Sequence, residues 1–287
     1  MVHFISEVSS NHSKDLERSI SFIDKSAEIG CSSVKFQLFK IDELFSSEAI
    51  KLKPEIALRK EWELPLEFIP ELKKRCIEKN IEFGCTPFYL DAVDELVDHV
   101  DYFKIASYEI LWHDLIEKCA ETNKKLILST GMATLDEIKR AVDICSKYSC
   151  KPILLHCNSS YPTPIEDVNL KSIKSINDST GCDTGWSDHS VNKNVIMRAI
   201  YKWNASHIEF HLDLDGEGAE FTTGHCWLPN EIKKLIKLVN QSEILDGSGI
   251  KGPSNSEIEE VNWRADPTDG LRPLISTREQ IIRDLEK

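Results

Sequence analysis

No apolar stretch in the chain approaches the roughly 18 residues a transmembrane helix requires, so nothing in it is expected to span a bilayer. The N-terminus, MVHFISEVSSNH, has no basic segment running into a long apolar one, so no secretory signal is visible. Nine cysteines occur without a single C-x-x-C pair. The odd count and the spacing argue against both a disulfide framework and a zinc knuckle. Most lie in apolar runs and read as small buried hydrophobes in a reducing, cytoplasmic setting. Basic residues are in deficit: 35 Lys and Arg against 48 Asp and Glu give a net charge of −13. That balance offers no footprint for nucleic acid or for an anionic membrane surface. A small anionic substrate stays compatible, because a few local lysines can reverse the field inside one cleft. Internal repeats and low-complexity tracts are also absent.

What is present is enough for a sizeable core, with 41% hydrophobic and 29% charged residues in 287. Short β-branched runs alternate with longer amphipathic stretches. The expected strands are His3–Val8, Ser33–Leu38, Ile81–Thr86, Asp101–Ala106, Lys125–Thr130, Pro152–Cys157, Thr180–Trp186 and Ser206–His211. Helical spacing appears over Asp15–Ile29, Leu66–Lys79, Leu135–Tyr148 and Asn192–Lys202. Thr134, followed by Glu137, reads as a capping box for the third of these. Eight strand–helix units are the count of a (β/α)8 TIM barrel, an α/β fold. A doubly wound open sheet is less consistent, since the first turn, Ser9-Ser10-Asn11-His12, lacks the glycines that such sheets place there. Residues 1–244 are assigned to the barrel and 245–287 to a C-terminal tail or arm. The charged connection 39–64 is expected to form a lid or wall at the active-site face.

Barrel sites are built where strands end, and here every strand delivers polar groups at that end. They include Glu7, Asn11 and His12 after the first strand, Lys35 and Gln37 in the second, and Thr86 closing the third. Lys104, Ser107 and Glu109 follow from the fourth, and Ser129, Thr130 and Gly131 from the fifth. The sixth gives His156, Asn158, Ser159 and Tyr161, the seventh Ser187, Asp188 and His189, and the eighth Glu209 and His211. Taken singly, a histidine at a strand end is more often a satisfied structural residue, and a strand lysine usually snorkels to water. The collection points instead to a ligand cleft, because that many unpaired buried polar groups would be costly. Two lysines with serine and threonine hydroxyls suit a phosphate and a carboxylate. His189 and His211, on adjacent strands, can meet at one exchangeable divalent ion: Mn2+, Mg2+ or Co2+. His225 is a weaker third candidate.

Eight landmarks occur in order: SEVSSNH (6–12), VKFQ (34–37), CTPF (85–88), YFKIASYE (102–109), ILSTGMAT (127–134), LLHCNSSYPTP (154–164), WSDHS (186–190) and IEFH (208–211). On these the chain resembles the sialic acid synthases, which join phosphoenolpyruvate to an amino-sugar aldehyde to make nine-carbon keto acids. The resemblance runs over roughly residues 5–235. It implies that Lys35, Thr86, Lys104, Ser107, Ser129, Ser159 and Ser187 hold phosphoenolpyruvate and that His189 and His211 bind the metal. It further implies that Glu7 acts on the carbonyl or water proton, and that Gln37, Glu109 and Tyr161 line the sugar site. Glu220 falls about where the family places a sugar-contacting aspartate. Phe210 stands where lysine is usual, and Ser159 where asparagine is usual. The family's antifreeze-like domain, which swaps across a homodimer and lends an arginine to the sugar site, has no counterpart in the tail; Arg264 or Arg272 is the expected substitute. A homodimer is therefore an expectation as well. Two other readings remain: a Schiff-base aldolase or lyase using Lys35 or Lys104, and a non-catalytic sugar-binding barrel.

Overall fold

Alternate residues along each strand meet two different surroundings, and this parity fixes the architecture. In the computed structural model, which describes residues 2–287 (the side chain of Glu243 excepted), eight parallel strands close into a barrel in sequence order. They are β1 His3–Glu7, β2 Ser33–Leu38, β3 Glu82–Pro87, β4 Tyr102–Ile105, β5 Lys125–Ser129, β6 Ile153–His156, β7 Thr184–Asp188 and β8 His207–His211. The ring shuts where β1 pairs with β8, His3 opposite His207 and Glu7 opposite His211. One strand start departs from the sequence reading. Thr180 ends the helix Lys171–Thr180, Gly181 takes a left-handed conformation, and β7 begins only at Thr184. A β-branched threonine there resembles a strand start but serves as the last helical residue. The capping box at Thr134 and Glu137 forms, with the Glu137 amide donating to Thr134 Oγ1 at 3.3 Å.

Outward residues such as Phe4, Val34, Phe83, Phe103, Leu126, Leu154, Trp186 and Phe210 pack with the helices in one continuous core. Inward residues form a separate small plug of Ile5, Tyr102, Ile127 and Leu155. Room for it comes from two glycines. A Cβ on Gly84 would lie 2.1 Å from the Tyr102 ring, and one on Gly185 2.7 Å from Leu155 and 2.2 Å from the His207 carbonyl. Beneath the plug, His3 and His207 stack with centroids 4.9 Å apart, and Ser33 Oγ lies 3.1 Å from the Tyr102 hydroxyl. Above it, the inward positions become Glu7, Lys35, Lys104, Ser129, Ser187 and Glu209.

The connection 39–64 folds into short helices, Ile41–Leu44 and Ser47–Leu52, and a 3-10 stretch, Pro54–Trp62. It has its own small core of Phe39, Ile41 and Ile56 against Phe88, with Leu44, Phe45, Ile50 and Trp62 partly buried on it. The chain divides into two compact units, Met1–Gln241 and Ser242–Lys287. In the second, Asp266 accepts from the amides of Thr268 and Ile275 at 2.9 and 2.8 Å, and Arg278 forks onto Asp269. A helix over Ile275–Leu285 ends the chain where the sequence suggested irregular structure. Among the described residues no helix is long and apolar enough to cross a membrane.

Candidate active site

A cleft of about 720 Å3 opens at the carboxyl ends of the strands. At its base lies a lattice of charges carried by inward positions of three neighbouring strands and one opposite. Glu7, Lys35, Lys104 and Glu209 are each less than 5% exposed. Lys35 is paired with Glu7 and donates to Thr86 Oγ1 at 3.1 Å, with Glu209 at 4.0 Å. Lys104 donates to Ser129 Oγ at 2.6 Å and lies 3.5 Å from Glu209, which also accepts from Ser187 at 3.0 Å. Gln37 donates to Glu7 at 2.7 Å. Burial drives the Lys35 pKa down, but the charges of Glu7 and Glu209 outweigh it, so Lys35 stays protonated with its pKa raised. For Lys104 burial prevails over Glu209, and the pKa is lowered. Burial would raise Glu209, but Lys104 and Lys35 bring it to about 2.

Beside this base stand the imidazoles. His189 and His211 have ring centroids 5.3 Å apart, and His225 is 4.6 Å from His211. His189 Nδ1 is 2.7 Å from the Asn158 carbonyl, and His211 Nδ1 is 3.0 Å from Glu220 Oε2. With each Nδ1 occupied by an acceptor, the Nε2 atoms remain as donors of lone pairs, the usual way a carboxylate or carbonyl presets a metal-binding histidine. Burial, reinforced by His211, lowers His189 to about 3 and keeps it neutral, as a ligand must be. This donor set fits a divalent ion. His225 joins the group indirectly: its Nε2 is 3.5 Å from Glu220, and His211, Glu220, His225 and Cys226 converge closely enough to hold a metal by themselves.

Glu220 reaches this position because the loop after β8 is pinned to the loop after β1. Asn11 accepts from the Glu220 amide at 2.9 Å and donates to the Leu212 carbonyl at 3.0 Å. Arg18 clamps Asp213 and Asp215. A Cβ on Gly218 would lie 2.5 Å from Asn11 Oδ1, so the close approach needs glycine. Ser9 completes the arrangement by donating to Glu220 at 2.5 Å.

Most expected contact residues line the cleft: Glu7, Lys35, Gln37, Lys104, Ser107, Glu109, Ser129, Tyr161, Ser187, His189, His211 and Glu220. Thr86 and Ser159 are set back from its open surface, Thr86 against Lys35 and Ser159 against Gly131, whose amide donates to Ser107 Oγ at 3.1 Å. The Ser159 hydroxyl and Glu109 Oε2 are buried without a hydrogen-bond partner, two open positions for a ligand. Burial lifts Glu109 to about 7 against the pull of Lys104. Tyr161 packs on His189 with centroids 4.2 Å apart. Arg264 belongs to the second unit, where its Nε donates to the Val261 carbonyl at 2.8 Å.

Several strand-end polar residues prove structural. His156 faces outward against Trp186 and the Val168 carbonyl, because Leu155 and Cys157 hold the inward parity around it. His12 is buried, its Nδ1 accepting from the Lys14 amide at 3.0 Å. Asp188 accepts from both Trp186 and Trp227 indoles. Conversely, Cys157 lines the cleft 3.1 Å from Ser107 instead of serving as mere packing. Glu209 holds the centre of the lattice, and its sequence signal was its place two residues before His211, on the same strand face.

Known proteins resemble this chain over most of its length. The model of the NeuB family matches residues 22–251. The N,N'-diacetyllegionaminic acid synthase of Campylobacter jejuni is 35% identical over 272 residues, covering 90% of this chain and 81% of that protein. The pseudaminic acid synthase of Helicobacter pylori is 30% identical, covering 85% and 75%. Among solved structures, the N-acetylneuraminic acid (sialic acid) synthetase of Leptospira borgpetersenii, crystallised with citrate, superposes with a TM-score of 0.79 at 32% identity and 93% coverage of each chain.

Proposed function

The chain belongs to the NeuB family and is a sialic acid synthase-like enzyme, and from that premise we propose that it condenses phosphoenolpyruvate with an N-acyl hexosamine aldehyde. The products are a sialic-acid-type keto-deoxy nonulosonate and inorganic phosphate. N-acetylmannosamine or a related amino sugar is the acceptor. The observation that carries the reading is the pair of buried lysines at the base of the same cleft that presents two histidines oriented through their Nδ1 atoms by the Asn158 carbonyl and Glu220.

Lys35 and Lys104, with Thr86, Ser107, Ser129, Ser159 and Ser187, receive the phosphate and carboxylate of phosphoenolpyruvate, where fixed positive charge is worth most because water is excluded. Glu7 and Glu209 occupy those lysines while no anion is bound. Charge displaced by the incoming substrate is then free to act on protons. His189 and His211 would hold the divalent ion, Mn2+ in the first instance and Mg2+ or Co2+ as substitutes. Such an ion supplies Lewis acidity toward a carbonyl oxygen. Gln37, Glu109, Tyr161 and Glu220 orient the acceptor so that its aldehyde carbon lies against C3 of phosphoenolpyruvate. The C3–C bond forms as the enol π electrons shift, water adds at C2, and the C2–O bond to phosphate breaks. Glu7, within reach of Gln37 and Lys35, takes or returns the proton at the carbonyl oxygen or the water.

Phosphate release from phosphoenolpyruvate with Mn2+ against a panel of acetamido sugars tests the proposal: release must need both metal and one sugar. Absence of release with every sugar would remove it. One observation favours a second reading. Burial lowers the Lys104 pKa, as a Schiff-base lysine requires, so borohydride trapping with a carbonyl substrate is the deciding control. The condensation predicts no covalent adduct.

A further inference from the structure

The base of the cleft is densely polar, but its mouth is not. The wall contributed by the 39–64 connection presents Phe39, Leu44, Phe45 and Trp62, with Phe88 and Ala106 beside them. Among these apolar groups stands one cation, Arg59. Its guanidinium lies 5.4 Å from the Trp62 ring centre and, among the described residues, has no carboxylate partner and makes no hydrogen bond, although it lines the cleft. Arg59 is solvent-exposed at the mouth of the cleft, and a planar fork of N–H donors beside an indole there is suited to an acceptor-only group such as an amide carbonyl. Aromatic and leucine side chains around it are poor partners for hydroxyls and good ones for a methyl group.

Resting on the condensation read above, we propose that Arg59, braced on Trp62, is an acceptor-specificity residue. It receives the carbonyl of an acylamino group at the end of the acceptor remote from the aldehyde, and the acyl methyl sits against Phe45 and Leu44. The aldehyde end is fixed by the histidines near the base, so the remote end of the sugar extends along this wall. The preferred acceptor is therefore a hexose carrying two acylamino groups, not one. The cation at the sugar's outer end comes from the barrel's own wall and does not depend on Arg264 of the second unit.

The test compares the full-length protein with its Arg59→Ala, Arg59→Lys and Arg264→Ala variants, using N-acetylmannosamine and a diacetamido hexose as acceptors. The wild type should favour the diacetamido sugar in kcat/KM by about tenfold or more, since a site built for a hydrogen bond discriminates strongly against its absence. Arg59→Ala should erase most of that preference through the acceptor KM, leaving the phosphoenolpyruvate KM within about twofold. Arg59→Lys should recover only part, lacking the fork. The inference is overturned if Arg59→Ala weakens both acceptors equally, if it leaves the ratio untouched, or if Arg264→Ala carries the loss instead. In each of those cases turnover by the wild type would leave the condensation itself standing. No turnover by the wild type with any sugar would remove both together.

Discussion

Asp188 is the side chain whose removal should report most directly on how the end of β7 is held beneath His189. It is fully buried and satisfies five donors. Oδ1 accepts from the Trp186 indole at 3.0 Å, the Ser190 hydroxyl at 2.6 Å and the Ser190 amide at 3.3 Å. Oδ2 accepts from the Trp227 indole at 2.9 Å and the Val191 amide at 3.1 Å. Asp188→Ala strands two indole N–H groups in the interior, each costing roughly 1–3 kcal/mol. Ser190 and Val191 are partly exposed and can turn to water. The expected loss is about 3–5 kcal/mol of unfolding free energy, a large share of the ~5–15 kcal/mol that such domains possess. Asp188→Asn should fall between wild type and alanine. Its amide nitrogen must face one indole or the other, so a single donor–donor clash of roughly 2 kcal/mol remains whichever way the group turns. Urea unfolding followed by tryptophan fluorescence measures both. His189 follows directly in sequence, so activity at low temperature should also fall before the fold is lost. An alanine variant within 1 kcal/mol of wild type, or an asparagine variant less stable than the alanine one, would refute the reasoning.

Three further outcomes follow from the same geometry. Gly131→Ala places a Cβ 2.3 Å from Ser159 Oγ and 2.8 Å from Ser107 Oγ. It should raise the phosphoenolpyruvate KM by about tenfold or more and cost roughly 1–3 kcal/mol; an unchanged KM would show that these hydroxyls do not hold that substrate. Glu220→Ala frees the Nδ1 of His211 and should weaken Mn2+ binding by roughly 10–100-fold in calorimetry, whereas equal affinity would take Glu220 out of the metal's surroundings. At the barrel's other end, burial lowers the pKa values of His3 and His207 to about 4. Their contribution is fully present above the unfolded value of about 6.5 and is lost as pH falls from there toward 4, because the unfolded chain takes up the protons first. The pair should account for roughly 3–5 kcal/mol of acid-labile stability. Unfolding curves between pH 7 and pH 4 on the His3→Gln, His207→Gln double variant should be flatter, and a slope equal to wild type would exclude the assignment.

The barrel was legible because parallel strands buried on both faces leave a double record in sequence. Phe–x–Phe-type outward positions and polar inward ends alternate strictly, as in Ile208, Glu209, Phe210 and His211. The same parity separates His156 from Cys157, so the outward histidine and the cleft-lining cysteine were readable in principle. Inspecting strand ends without counting faces hides them. What parity cannot supply is contact between loops. Glu220 meets His211 only because Asn11, 209 positions away, catches its backbone. Nor did the charged look of residues 39–64 disclose their apolar face, since Phe39, Ile41, Phe45, Ile56 and Trp62 are spread among lysines and glutamates with no single period. The terminal helix Ile275–Leu285 was concealed by the glycine- and proline-rich stretch before it.

The plug of Ile5, Tyr102, Ile127 and Leu155 makes the barrel a well with one mouth. Whatever occupies the lysines at the bottom must arrive before the molecule that stands above it, and cannot depart until that molecule has gone. On the proposed chemistry this dictates a queue: phosphoenolpyruvate enters first, the sugar second. The sugar acting as a stopper would make high acceptor concentrations inhibit the empty enzyme by shutting out its partner.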